Sequence, residues 1–156
     1  MTIRPASDMD FEAIYSIWLD GIAQTFTGCL LPATLREQFY HNFSISRFPF
    51  GFWVAEAAGE VEGWCSILPA FSHPLKQVSN GEVSTYVRPN GQLRGIGSEL
   101  MLQVFAYLEA TSLDVVWGFA NPANARSIRM CEKAGMRVCG ATATKTILVK
   151  EYILEF

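Results

Sequence analysis

The sequence predicts a mixed α/β fold, one sheet flanked by helices in the order β-α-α-β-β-β-α-β-α-β-β. Three observations carry that expectation. Apolar residues alternate along the chain between helical spacing and short β-prone runs. The chain has 156 residues, half of them hydrophobic and 17% charged, which suits one domain with a real core and excludes a disordered chain. The segment Val83 to Gly97, VSTYVRPNGQLRGIG, reads as a strand, a glycine-bearing turn and a helix start.

The elements follow in order. Thr2 to Arg4 reads as a short strand ended by Pro5. Ser7 and Asp8 are good N-caps for a helix on which Phe11, Ile14, Ile17, Trp18 and Ile22 recur at helical spacing. A second helix is expected from Pro32 to about Asn42, with Leu35, Phe39 and Tyr40 inward. Phe52 to Ala57 and Val61 to Leu68 are apolar runs joined across Gly59, so they predict an antiparallel hairpin. A polar connection with Pro74 leads to a strand from Glu82 to Val87, stopped by Arg88-Pro89. From Gly95 the period changes. Ile96, Leu100, Met101, Val104, Phe105 and Leu108 mark one face of a helix ending near Ala110. Leu113 to Phe119 is a continuous apolar run, as expected of a strand covered on both faces. Asn121-Pro122 opens the next helix, with Asn as cap, and Gly135 ends it. Met136 to Gly140 and Thr144 to Phe156 supply two final strands.

Charge and cysteine content narrow the function classes. The formal net charge is −3 and the sequence pI about 5.4, with no basic run, so nucleic acid is not an expected partner. No apolar run approaches the ~18 residues of a membrane span, and the N-terminus lacks the apolar core of a signal peptide. Cys29, Cys65, Cys131 and Cys139 form no CxxC pair, and neither His41 nor His73 lies at metal-ligand spacing to them. The expectation is a cytoplasmic protein with reduced thiols, no membrane partner and no metal.

The chemistry concentrates in Gln92-Leu93-Arg94-Gly95-Ile96-Gly97. The first N–H groups of a helix have no intrahelical acceptor, and the macrodipole places partial positive charge there. Glycines let a bulky anion approach the backbone, so a diphosphate is a natural occupant, with Arg94 as an added cation. On glycine spacing alone an ordinary βα turn reads equally well. Neither the dinucleotide fingerprint nor the P-loop pattern is present.

Gln92 to Gly97 matches Q/R-x-x-G-x-G, and on this block the chain resembles the GNAT superfamily of acyl-CoA-dependent N-acetyltransferases. Tyr86-Val87-Arg88-Pro89 resembles that family's lead-in to the turn. Asn121-Pro122-Ala123-Asn124-Ala125-Arg126-Ser127, with Glu132-Lys133-Ala134-Gly135-Met136 after it, is similar to the family's N-x-x-N-x-x-S…E-K-x-G-F block. The opening Ile3-Arg4-Pro5-Ala6 through Ile17 resembles the phosphinothricin acetyltransferase-like branch.

The resemblance implies a mostly antiparallel sheet in one acyl-CoA N-acyltransferase domain over residues 1–156. It implies acetyl-CoA as cosubstrate, held by backbone groups of Thr85, Tyr86 and Val87 along the pantetheine arm. Leu93, Arg94, Gly95, Ile96, Gly97 and Ser98 would surround the pyrophosphate. Asn124 would bond the pantetheine arm, cap its helix, or both. Leu93 stands where the family often has Gly, but its N–H is retained.

The implied reaction is direct attack of an amine on the thioester. A base is needed because a free amine of pKa near 10 is mostly ammonium at pH 7. Glu82 is the candidate base, against the simpler reading of a solvated strand-end carboxylate. The oxyanion would meet the strand amide near Val87. Cys131 occupies the position where related enzymes carry a Tyr or His that protonates the leaving thiolate. It is a candidate acid, a less favoured candidate nucleophile, or a small core residue. Substrate walls would come from Gln24, Thr25, Phe26, Arg36, Phe71, His73 and Lys76, with Arg36 or Lys76 facing a substrate carboxylate. The expected acceptor is a small, amino-acid-like primary amine. A protein N-terminus or lysine, and a CoA-binding module without turnover, stand as alternatives. The resemblance also implies a homodimer through the C-terminal strands.

Overall fold

The computed structural model describes residues 1–25, 33–71, 79–89 and 94–152. The elements are β1 (Thr2–Pro5), α1 (Phe11–Thr25), α2 (Leu35–Ile45), β2 (Gly51–Ala57), β3 (Glu60–Pro69), β4 (Asn80–Val87), α3 (Ile96–Tyr107), β5 (Val115–Ala120), α4 (Ala125–Lys133), β6 (Arg137–Ala141) and β7 (Thr146–Glu151). The seven strands form one sheet in the order β1-β2-β3-β4-β5-β7-β6. Every neighbouring pair is antiparallel except β4 with β5. The predicted order and the mostly antiparallel sheet are both found.

Each face of the sheet has its own core. On one side α3 and α4 bury Leu100, Met101, Val104, Phe105 and Cys131 against Val83, Val116 and Leu148. On the other side α1 and α2 form an aromatic layer, with Phe11, Phe43, Phe52 and Trp64 buried and Tyr15, Trp18, Phe39 and Tyr86 packed on them. Successive strand side chains point to opposite faces. Along β4, Val83 and Val87 therefore join the α3 side while Tyr86 joins the α1 side.

The entry to α1 is fastened electrostatically. Asp10 accepts from the Ser7 backbone N–H at 2.7 Å and from two Arg4 nitrogens at 2.7 and 3.0 Å. Arg4 Nε also reaches Glu56 on β2 at 2.9 Å. One guanidinium thus ties β1, the turn before α1 and β2 together. That turn, Asp8–Asp10, is 3₁₀, so the helix proper begins at Phe11 rather than at the predicted caps.

Several expectations are corrected. β1 includes Pro5, which pairs with Trp53 because an edge strand tolerates a missing donor. α2 runs three residues past Asn42, burying Phe43 and leaving Tyr40 exposed. β5 is fully covered on one face and only partly on the other. Val116, Gly118 and Ala120 are buried, but Phe119 is 43% exposed, so an apolar run did not mean two covered faces. Asn124, not Asn121, caps α4, and Asn121 instead accepts from the Ala123 N–H at 2.9 Å in the turn before it. β7 spans Thr146–Glu151, shorter than the predicted run to Phe156, and residues 153–156 lie outside the described residues.

Candidate active site

β4 and β5 pair over only three rungs, Asn80 with Val115, Gly81 with Val116 and Glu82 with Trp117. Both strands continue, β4 to Val87 and β5 to Ala120, without further pairing. The sheet therefore opens into a wedge whose apex is the Glu82–Trp117 rung.

The backbone of β4 decides what lines that wedge. Arg88 N–H donates to Glu62 of β3 at 2.8 Å, and the Asn80 carbonyl accepts from Ala70 at 3.0 Å. Consecutive residues of an extended strand aim their N–H and C=O groups at opposite edges. Even-numbered β4 residues thus bond β3, and the amides of Thr85 and Val87 face the wedge. The Thr85 side chain lies opposite Cys65 on β3, so its offering to the wedge is main chain.

At the wide end sits the N-terminus of α3. Gly95 is its N-cap at φ 77°, and Glu99 N–H makes the first helical bond, to the Gly95 carbonyl at 3.1 Å. The N–H groups of Gly95, Ile96, Gly97 and Ser98 precede that bond and have no intrahelical acceptor. A Cβ built on Gly95 would meet nothing within 4 Å, so the turn borders open space. Gly97 is different, since a Cβ there would lie 2.2 Å from Met130 Sδ. Ser98 donates its hydroxyl to the Met130 carbonyl at 3.2 Å. Gly97 and Ser98 thus seat α3 on α4, and of Ser98 the backbone N–H is what remains for an anion. Arg94 is exposed beside the turn, and Ile96 is buried beneath it. Leu93 lies outside the described residues.

Asn124 accepts from the Ser127 N–H at 3.0 Å, which is the capping role. Its amide nitrogen takes no acceptor among the described residues. Cys131 is 7% exposed within the α3-side core. Burial, with Glu132 nearby, pushes its thiol above the ordinary value.

Glu82 is half-buried, and burial raises its carboxyl above the ordinary range while the Lys145 ammonium opposes that rise. Its strand neighbour Tyr86 has its phenol raised chiefly by burial, with a bond from Trp18 opposing and the Glu82 charge adding. Trp117 is held by its Nε1–H to Asn80 Oδ1 at 3.1 Å. Of the predicted walls, Phe71 meets the Trp117 ring edge-on at 6.1 Å between centroids. Arg36 is paired with Glu12 and lies 5.2 Å from the Phe11 ring centre, so its charge is already answered on α1. The side chains of Gln24 and Thr25, and residues Phe26, His73 and Lys76, lie outside the described residues. Sequence reasoning missed Lys145, Asn80 and Trp117 as neighbours of Glu82. Only strand register brings them there, and no local motif marks it.

The donors fit a long ligand with an anionic end. Two amides line the β4 side of the wedge, and a helix N-terminus behind a left-handed glycine waits at its mouth. Such a site suits an acyl-CoA cosubstrate. The chain belongs to the acetyltransferase (GNAT) domain family, whose profile matches residues 1–137. A Mycobacterium tuberculosis protein assigned as an N-acetyltransferase is 28% identical, over 91% of this chain and 83% of its own. A structure assigned as a phosphinothricin N-acetyltransferase superposes with a TM-score of 0.79 at 24% identity, covering 98% of this chain and 99% of that one. The Salmonella typhimurium protein yncA, assigned as an acetyltransferase and solved with its cofactor acetyl-CoA, gives 0.78 at 22% identity, covering 99% and 95%. At these identities structural likeness establishes the fold and not the acceptor. Membership makes the protein an N-acetyltransferase, and the acetyltransferases of this family take acetyl-CoA as cosubstrate. Among the described residues no group of three metal-ligating side chains occurs, and no helix is long and apolar enough to cross a membrane.

Proposed function

We propose that the protein transfers the acetyl group by direct attack to the primary amine of a small, amino-acid-like molecule, with Glu82 as the base. One observation carries this reading. Glu82 occupies the last paired rung of β4, where the wedge opens, and its half-buried carboxyl has a raised pKa. A base is most effective when its pKa approaches the working pH.

Acetyl-CoA supplies a thioester carbonyl. Glu82 takes a proton from the acceptor's ammonium, directly or through one water, and frees the attacking lone pair. The Val87 N–H, aimed into the wedge, donates to the carbonyl oxygen as charge develops there. The Thr85 amide and the α3 N-terminus hold the arm and diphosphate, with Arg94 as a flanking cation and the free amide nitrogen of Asn124 as a further donor. The new C–N bond forms as the C–S bond breaks, the electron pair leaves on sulfur, and the second proton of the attacking nitrogen passes to solvent water. We read Cys131 as a core residue whose thiol stays neutral. CoA thiolate then departs without an acid.

The test is release of free thiol from acetyl-CoA with a panel of amino acids, polyamines and peptides. Turnover confined to small amines supports the reading. Turnover confined to peptides overturns it. A thermal shift with acetyl-CoA but no thiol release would instead make the protein a CoA-binding module.

A further inference from the structure

Register partners on adjacent strands share a face, as do residues two apart on one strand. Glu82, Trp117 and Phe119 therefore lie on one side of the sheet, with Ile147 opposite Phe119 on β7. Phe71 abuts Trp117, and Phe119 is 43% exposed. These rings make an aromatic wall running from the Glu82 carboxylate toward the β6–β7 turn.

Lys145 stands at the far end of that wall. Its Nζ lies 5.4 Å from the centre of the Phe119 ring. The turn carrying it is braced by Thr142, whose N–H donates to the Lys145 carbonyl at 2.8 Å. The Thr142 hydroxyl accepts from the Lys145 N–H at 3.0 Å. Among the described residues no carboxylate lies within ion-pair distance of the Lys145 ammonium. Its field nevertheless reaches Glu82. The wall thus carries an anion at one end and a cation without an ion-pair partner at the other. That arrangement is the electrostatic complement of a zwitterion.

We propose that Lys145 binds a carboxylate on the acceptor, so that the substrates are amines that also carry an anionic group, laid along Trp117 and Phe119 with the amine toward Glu82. The inference rests on the acetyl-transfer reading above and narrows it. Glu82 alone would also welcome diamines and lysine side chains. Lys145 repels a second cation and so rejects them.

The experiment compares each of several α-amino acids with its own carboxamide, which keeps the amine and loses the anion. Wild type, K145Q and K145E are assayed by thiol release with saturating acetyl-CoA. Taking the acid-to-amide ratio of kcat/KM within each protein, and comparing ratios between proteins, cancels the amide's weaker basicity. K145Q is expected to cut that ratio about tenfold, the size of one charge-assisted hydrogen bond, through KM for the acid and not through kcat. K145E is expected to shift it further toward the amide and toward diamines. The acetyl-CoA thermal shift should be unchanged in both, which reports that they fold and hold the donor. An unaltered ratio in K145Q, with wild type active on amino acids, overturns the role of Lys145 and leaves the acetyl-transfer reading standing. Wild type that acetylates only peptides or polyamines, or nothing, overturns that reading and this inference with it.

Discussion

Glu82 stands directly opposite Trp117 in the rung where β4 and β5 cease to pair, and beyond that rung only β3 and β7 hold the two strands. The carboxylate is therefore fixed by a backbone ladder on each side, while the space ahead of it lies open. In the proposed reaction the amine needs a base at constant distance from a cleft that admits a long donor, and this rung would provide both.

Glu82→Gln should lower kcat about 10²-fold or more, the range for removing a general base, while the acetyl-CoA Kd stays within error. Burial raises the wild-type carboxyl, so kcat/KM should fall on acidification along a limb lying above the ordinary carboxylate range. K145Q removes a positive charge that favours the ionised form, so that limb should move to still higher pH. A limb that is the same in Glu82→Gln as in wild type would remove Glu82 as the base.

Gly95 separates two effects that calorimetry can read. Gly95→Ala places a Cβ at φ 77° and should cost about 1–2 kcal/mol in the left-handed region, with donor affinity little changed because the site around the Cβ is open. Gly95→Asp sets a negative charge against a diphosphate and should weaken acetyl-CoA binding at least about tenfold. Near-normal affinity in Gly95→Asp would mean that this turn does not hold the donor.

Gly97→Ala should destabilise the fold by at most about 1 kcal/mol, because its methyl would overlap the flexible end of Met130, which must swing aside. Combining it with Met130→Ala should recover part of that loss. Chemical denaturation of the four proteins gives the coupling, and strict additivity would show that the two helices do not meet there.

Cys131→Ala should cost about 1 kcal/mol of stability as a small cavity opens. Its kcat should stay within about twofold, since losing a working acid would instead cost about 10²-fold. A fall of that size in the pH-independent rate would restore Cys131 to the chemistry.

Asp10→Asn should destabilise by about 2 kcal/mol, because Arg4 loses its closest carboxylate and the Ser7 N–H a charged acceptor. Arg4 holds the Asp10 carboxyl below its ordinary value, chiefly by hydrogen bonds. That stabilisation is complete above the unfolded pKa of about 3.9 and disappears as pH falls through the lower folded value. Unfolding free energy against pH should therefore be flatter below pH ~4 in Asp10→Asn. Equal slopes would place the acid sensitivity elsewhere.

Much of this was legible in the sequence. The α3 face from Ile96 to Leu108 is buried as its period predicted, because a helix against a sheet has one way to bury a stripe. The Gly95 turn was readable for the same local reason. The errors arose where two residues of one kind compete or where partners are remote. Asn121 and Asn124 are both cap-forming, and only the geometry shows one in a turn and the other on the helix. The run from Leu113 to Phe119 could not say which face of β5 stays open. Lys145 sits more than sixty residues from Glu82, and the β4–β5–β7 register that joins them has no trace in either segment.

The alternation along β4 has a genetic consequence. In the proposed reaction β4 would meet the donor through main-chain amides, which every residue but proline supplies, whereas the acceptor would meet Glu82 and side chains from other segments. On that reading a side-chain substitution along β4 would alter which amine is chosen sooner than it would disturb the β4 contacts to the acetyl source. A lineage built on this strand would then change its clientele one codon at a time without ceasing to be an enzyme in between.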